Sequence, residues 1–281
     1  MRVILVPVAD RPESKISLDT AFELAVNLEG NIVGCHVRPH RNYEMPRRGD
    51  LILDRARVAK AGDPEMNSHA AQKLFASLAE RHSFRAARRA RLGQTSLALW
   101  KEMAGTPSRI FAIIGPVADL AVLSRPKPKN SGPAESFLLS AVLHSAKPVL
   151  VLPQKRQVSV GRRILIAWNQ SAEAAAAVSA SRRLLEAADS VAILSCGAEN
   201  RAGPKSSYLS EYLSHWGIRS ERISTRGRDV GQEIADTARE RGSDLLLMGA
   251  YSRPRLRERV FGGVTETMLF NTDLPVLMLH R

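Results

Sequence analysis

Short runs of unbroken apolar residues alternate along the chain with longer segments in which Ala and Leu recur at helical spacing. The first run is Val3-Ile4-Leu5-Val6-Pro7-Val8, and a similar one, Ile164-Leu165-Ile166-Ala167-Trp168, opens the second half. Each leads through a polar turn into a helical segment, about 18–28 in one half and about 173–187 in the other. A second apolar run follows, Asn31 to Val37 and Ser190 to Cys196. Strands that are apolar throughout, rather than alternating, belong in sheets covered on both faces, which means a parallel sheet with right-handed crossover helices. In the second half the pattern predicts strands near 163–168, 190–196, 221–225, 244–249 and 275–280. It predicts helices near 172–187, 206–216, 229–241 and 262–271. That alternation makes a doubly wound α/β domain, whose ligands bind beyond the carboxyl ends of the strands where strand order reverses. The loops to watch are those after Ile166, Leu194 and Met248.

The closing elements repeat as well as the opening ones. Asp119-Leu-Ala-Val-Leu-Ser124 parallels Asp244-Leu-Leu-Leu-Met-Gly249, and Lys147-Pro-Val-Leu-Val-Leu152 parallels Leu274-Pro-Val-Leu-Met-Leu279. Pro148 and Pro275 suit the start of a strand, where a missing N–H costs least. The expectation is two tandem domains, 1–153 and 162–281, joined by the polar, basic stretch Pro153 to Gly161. The first copy is longer. Its excess falls mainly near 40–68, a loop or partly helical excursion, with a smaller excess near Gly105 to Pro116.

Composition narrows the function classes. No run of about 18 apolar residues is present, so no helix is expected to span a bilayer, and the N-terminus lacks a secretory pattern; a cytoplasmic protein is expected. Cys35 and Cys196 lie far apart without a CxxC partner, so neither a disulfide framework nor a zinc site is expected. The formal charge is +13, which favours anionic ligands in general. The arginines are scattered without interleaved aromatics, so nucleic acid is not expected as a partner. His36 and His40 fall on strand and loop rather than one helix face, and no metal site is expected. Gly203-Pro-Lys205-Ser206 lacks the Gly-Lys adjacency of a phosphate loop, and no G-x-G-x-x-G follows a strand. No Gly-x-Ser-x-Gly elbow occurs either. Ser171, Glu173 and Glu13 read as helix caps.

The stretch after the fourth strand of the second half carries the most chemistry. Gly249-Ala-Tyr-Ser252 ends the strand, a loop holding Arg253, Arg255, Arg257 and Arg259 follows, and Gly262-Gly263-Val264-Thr265 opens a helix. Glycines let backbone approach an anion, and free N–H groups at a helix N-terminus accept phosphate oxygens.

With the first strand and its turn, Asp244 to Gly249, Gly262 to Thr265 and the closing Leu-Pro-Val-Leu, both halves resemble the universal stress protein family in its tandem form. The resemblance implies two doubly wound, five-stranded parallel sheet domains of the adenine nucleotide alpha hydrolase-like type, a regulatory stress-linked role, and pairing of the two domains within the chain as a pseudo-dimer. A homodimer is the other assembly it implies, and protein partners are unidentified. ATP-binding members carry G-x2-G-x9-G-[S/T] and an Asp after strand one. Here Gly249 and Gly262 keep the spacing, Ser252 replaces the second glycine, Gly263 stands where Ser or Thr would be, and Asn169 stands in place of the Asp. The candidate binding set for ATP or ADP is Asn169, Gly249, Ser252, Gly262, Gly263 and Thr265. No catalytic residue is assigned, and any hydrolysis would be slow and incidental. The first half has Ser124-Arg-Pro-Lys-Pro-Lys-Asn-Ser-Gly132 at the matching place, with Glu135 and Ser136 near the glycine-pair position. It reads as a degenerate, mainly structural copy, with Asp10 the candidate carboxylate if its turn is shifted by one, and Lys127, Lys129 and Gly132 the groups left to meet an anion. The alternative to a nucleotide binder is a ligand-free interaction module in stress signalling that uses the 40–68 insertion as its recognition surface.

Overall fold

A computed structural model of the chain describes residues 1–9, 11–38, 64–126, 132–155, 157–250 and 263–280. It divides into two compact units, Met1–Gln154 and Lys155–Arg281. Among the described residues no helix is long and apolar enough to cross a membrane.

The first unit runs β1 (Val3–Pro7), α1 (Pro12–Asn27), β2 (Asn31–Arg38), α2 (Pro64–Arg81), β3 (Arg85–Ala87), β4 (Leu97–Ala104), α3 (Pro107–Ile114), β5 (Leu120–Ser124), α4 (Gly132–His144) and β6 (Val149–Leu152). Its strands lie in the order β3-β4-β2-β1-β5-β6, every pair parallel. The central strands are the unbroken apolar runs: Ile4, Leu5 and Val6 on β1 and Leu120, Ala121 and Val122 on β5 are all buried. Burying each such Leu, Ile or Val is worth roughly 1.5–3 kcal/mol.

Two expectations for this unit change. α1 begins at Pro12, not near Leu18, because Pro suits the first helical turn and Ser14 Oγ accepts the Ala9 N–H at 3.1 Å; the polar stretch 12–17 had hidden that start. The segment 105–116 is no excess. It holds α3 and a following 3-10 turn, Gly115–Val117, the crossover helix that the fold requires before β5. The extra length lies upstream, in the β2–α2 connection, in the longer α2, and in β3 with its loop to β4. Most of the 40–68 excursion lies outside the described residues, and its last part opens α2.

The second unit runs β7 (Arg163–Ala167), α5 (Ala172–Ala180), α6 (Arg182–Glu186), β8 (Ser190–Cys196), α7 (Ser206–Ser214), β9 (Ser220–Thr225), α8 (Val230–Glu240), β10 (Leu245–Gly249), α9 (Gly263–Phe270) and β11 (Val276–Leu279). The strand order is β11-β10-β7-β8-β9, again parallel throughout. The expected single helix over 172–187 is broken at Ser181, a fully buried residue at φ −97°, ψ 9° whose N–H is shared between Ala177 O and Val178 O. Ser171 caps α5, accepting the Ala174 N–H at 3.1 Å, and Asp229 caps α8 through Gln232 N–H at 3.1 Å.

The repeated aspartates sit at the amino ends of the strands. Asp244 accepts from Ser159 Oγ at 2.6 Å and from the N–H groups of Gly161, Arg162 and Arg163 at 3.1, 3.3 and 2.8 Å, tying the start of β10 to the start of β7. Asp119 does the same for β5 and β1 through Arg2 and Val3 N–H. Burial pushes the Asp119 carboxyl up, but those backbone donors outweigh it and hold its pKa below the usual value.

Candidate functional site

In the second unit the chain leaves β7 towards β8 and β9, then returns to β10 on the other side of β7. Helix N-termini and loops therefore diverge at the carboxyl ends of β7 and β10, leaving a crevice. A cavity of about 340 Å³ occupies that place. A smaller hollow of about 240 Å³, beside Asp189, Trp216 and Arg219, lies at the amino end of β8, away from these loops.

The sequence candidates converge on the larger cavity. Asn169, Gly249, Gly263 and Thr265 all line it, although they come from three separate elements. Ser252, Gly262 and the four loop arginines, Arg253, Arg255, Arg257 and Arg259, lie outside the described residues. Asn169 is exposed on the turn after β7, and its Oδ1 accepts the Ser171 N–H at 3.2 Å. Gly263 opens α9, and a Cβ built there meets nothing within 4 Å. The first N–H groups of that helix have no intrahelical acceptor and carry the positive end of its dipole. Thr265 follows on the same turn and is buried. Gly249 has a different reason to be glycine: a Cβ there would stand 2.5 Å from Ala174 N and 2.8 Å from Glu173 C. Its lack of a side chain lets the first turn of α5 close on the end of β10.

The sequence pointed to the loop after β8, and on it only the stretch Gly203-Pro-Lys205-Ser206 was weighed, as lacking the phosphate-loop pattern. That loop forms the remaining wall, with Cys196, Glu199 and Arg201 lining the cavity. It is fastened to the turn after β7. Trp168 Nε1 donates to Pro204 O at 2.9 Å, and Gln170, at φ 61°, donates from Nε2 to Gly203 O at 3.0 Å and Arg201 O at 3.3 Å. Gln170 Oε1 accepts the Arg201 N–H at 3.1 Å. A Cβ on Gly203 would fall 2.1 Å from Gln170 O, so only glycine fits that approach. The Gly203-Pro-Lys205-Ser206 stretch is thus a packing device that leads into α7.

Glu199 is the fixed acid of this wall. Its Oε1 accepts from Ser195 Oγ and from the Ser206 N–H, both at 2.8 Å, so it takes the place of a side-chain cap on α7. Burial raises its pKa, but those donors, the Ser206 side chain and Lys205 more than offset it, and the carboxyl stays below the ordinary glutamate range. The Cys196 thiol is pushed up, chiefly by burial and further by the Glu233 carboxylate, against a hydrogen bond with Thr225.

The first unit is built differently at the matching place. Val8 N–H bonds Cys35 O as Trp168 N–H bonds Leu194 O, which puts Ala9 where Asn169 stands. Asp10, Lys127 and Lys129 lie outside the described residues. Gly132 is the first residue of α4, so Glu135 falls within the first helical turn and not ahead of the helix. Ser124 replaces Gly249, and its hydroxyl bonds Ser17 Oγ at 2.7 Å and Glu13 O at 3.1 Å. Along β2 and β4 the side chains pair with one another or with nearby backbone. His36 is buried with Nδ1 on Val8 O at 2.8 Å and its ring stacked on Trp100. Glu102 accepts Ser68 Oγ at 2.7 Å and pairs with Arg38 at 3.4 Å.

These features define a doubly wound α/β protein with a ligand-sized cleft at the switch point of its second unit. Residues 161–280 match the family model described as the universal stress protein family. A 50-residue stretch, 18% of this chain, is 34% identical to Universal stress protein MJ0577 of Methanocaldococcus jannaschii, and spans 31% of that relative. A crystal structure of a universal stress protein from Archaeoglobus fulgidus DSM 4304 is similar in fold over 99% of this chain and 98% of its own, with a TM-score of 0.68 at 16% identity. A functionally unknown protein from Pseudomonas aeruginosa PAO1 is similar over 99% and 92%, with a TM-score of 0.60 at 16% identity. The family match thus covers the second unit, and the first unit shares with those solved structures a similar fold.

Proposed function

We propose that this chain is a cytoplasmic regulatory protein whose second unit binds an adenine nucleotide, ATP or ADP, without efficient turnover. The observation that supports the reading best is the convergence of Asn169, Gly263 and Thr265 on one cavity at the switch point, with open space where a side chain on Gly263 would stand. The phosphates would lie against the first turn of α9, at its free N–H groups and Thr265, with Gly262 and Ser252 extending the cradle. Asn169 would meet the adenine or ribose from the turn after β7. The first unit serves as a mainly structural copy in this reading, because Ser124 stands in place of Gly249 and Ala9 in place of Asn169.

Calorimetric titration of the full chain with ATP tests this, with Gly263→Glu as the matched variant. The substitution meets open space and places an acid in the first turn, where the helix dipole favours it. It should keep the melting temperature and abolish binding by setting a charge against the phosphates. Equal heats from both proteins would move the ligand elsewhere, and no heat from the parent would sink the proposal.

A further inference from the structure

A turn on the edge of the first unit presents a leucine in the middle of an arginine cluster. β3 is the outermost strand of that unit, and residues 88–96 carry the chain back from it to β4, its parallel neighbour. No Asp or Glu lies between Glu80 and Glu102, while Arg81, Arg85, Arg88, Arg89, Arg91 and Lys101 all fall there. Arg81 is engaged by Asp19 and Arg85 by Gln94. Arg88, Arg89 and Arg91 are exposed, and among the described residues they pair with no acid. Glu29, next to the Gly30 carbonyl that accepts the Ser96 N–H, is already paired with Arg2 at 3.4 Å.

The tip of this segment has a fixed shape. Gln94 N–H bonds Arg91 O at 3.2 Å across a tight turn, and Gly93 supplies the positive φ, 72°, that suits its third position. The return limb is held to β2. Asn31 Nδ2 donates to Gln94 O at 3.2 Å, Asn31 Oδ1 accepts the Leu97 N–H at 2.9 Å, and Ser96 N–H reaches Gly30 O at 3.1 Å. Leu92 therefore stands fully exposed at the corner of an anchored turn, with three cations within four residues of it.

That pairing of charge and apolar surface matches an anionic bilayer. The cations are drawn to the headgroups, and the apolar side chain gains by entering the acyl boundary. Nucleic acid would satisfy the arginines but give Leu92 nothing to bury against. The segment also has no exposed aromatic to stack on a base, since Phe84 is buried and Trp100 packs on Phe75.

We propose that the turn at 88–94 docks the protein on an anionic membrane surface, with Leu92 inserted and Arg88, Arg89 and Arg91 on the lipid phosphates. Peripheral contact of this kind needs no spanning helix. It goes beyond the nucleotide reading and does not depend on it, because the turn belongs to the first unit.

Co-sedimentation of the full chain with vesicles at low salt tests this, comparing phosphatidylcholine alone with phosphatidylcholine mixed with phosphatidylglycerol. The parent should bind only the mixed vesicles, and its affinity should fall as salt rises. Replacing all three arginines, Arg88→Gln, Arg89→Gln and Arg91→Gln together, should weaken binding roughly 100-fold, at about fivefold per cation. Leu92→Ser should weaken it roughly fivefold to tenfold. Leu92→Trp should keep binding and shift its emission to the blue when mixed vesicles are added. All these positions are exposed, so each variant should keep the parent's melting temperature. Failure of the parent to bind mixed vesicles overturns the proposal, as does binding that survives loss of the three arginines. Vesicle binding unchanged in Leu92→Ser, together with tight binding of a duplex DNA oligonucleotide that only the arginine variant loses, overturns it in favour of a nucleic-acid surface.

Discussion

Gly249 meets Ala174 so closely that a Cβ on the glycine would stand 2.5 Å from the Ala174 amide nitrogen. The atom in the way is backbone in the capped first turn of α5, which cannot rotate aside. Gly249→Ala should therefore force β10 and α5 apart and cost about 1–3 kcal/mol, as overpacking does in well-packed interiors. Chemical denaturation checks it. An unchanged midpoint would show that α5 yields, and Gly249 would then have to be explained by the cleft alone.

Gly263 is the opposite case. A side chain there meets open space, and the family pattern carries Ser or Thr at this place. Gly263→Ser should fold normally and add a hydroxyl at the α9 N-terminus. The expected gain in ATP affinity is roughly threefold to tenfold, the worth of one net hydrogen bond. A loss of affinity on titration would mean that the phosphates do not approach this turn.

Glu233 contributes to the acid response of the second unit. Its carboxylate accepts from Thr225 Oγ1, from Gly227 N–H at 2.9 Å and from Arg228 N–H at 2.8 Å, joining the end of β9 to α8. These bonds, the Thr225 hydroxyl first, lower its pKa from the usual 4.5 to about 2. A carboxylate whose folded pKa is depressed stabilises the fold fully above the unfolded value, and that contribution disappears as pH falls through the folded one. The parent should lose more stability between pH 4.5 and pH 2 than Glu233→Gln does. Parallel urea midpoints for the two proteins across that range would contradict this.

The two thiols should differ in reactivity. Burial pushes Cys35 up to about 11, and Cys35 is almost wholly enclosed, whereas Cys196 is only partly covered and lines the cleft. At pH 8 a thiol reagent should modify Cys196 first, more slowly than a free cysteine, and Cys35 only on unfolding. Saturating ATP should slow the Cys196 reaction several-fold. Peptide mapping after timed labelling measures both effects, and no protection by ATP would place the nucleotide outside this cavity.

Much of the fold was legible because it rests on unbroken apolar runs such as Ile164 to Ala167 and Leu245 to Met248, which only a sheet buried on both faces accepts. The repeated Asp119 and Asp244 were visible as sequence echoes, but their task of stapling strand starts was not, since their donors are backbone N–H groups far away in the chain. α1 began earlier than its apolar periodicity suggested, and the break at Ser181 left no mark in an alanine-rich run. Among the residues that line the cleft, Gly249, Gly263, Thr265 and Asn169 were singled out in the sequence through the family resemblance. Glu199, Gln170 and Trp168 were not, because their roles depend on a loop folding back against a turn some 30 residues earlier, and local pattern carries no trace of that contact.

The most direct test of the central claim is to count the nucleotide released from freshly purified full-length protein by mass spectrometry, after saturation with ATP and removal of the excess. The account predicts close to one adenine nucleotide per chain, lost in Gly263→Glu. Two per chain would give the first unit a working site, and none would contradict the account outright.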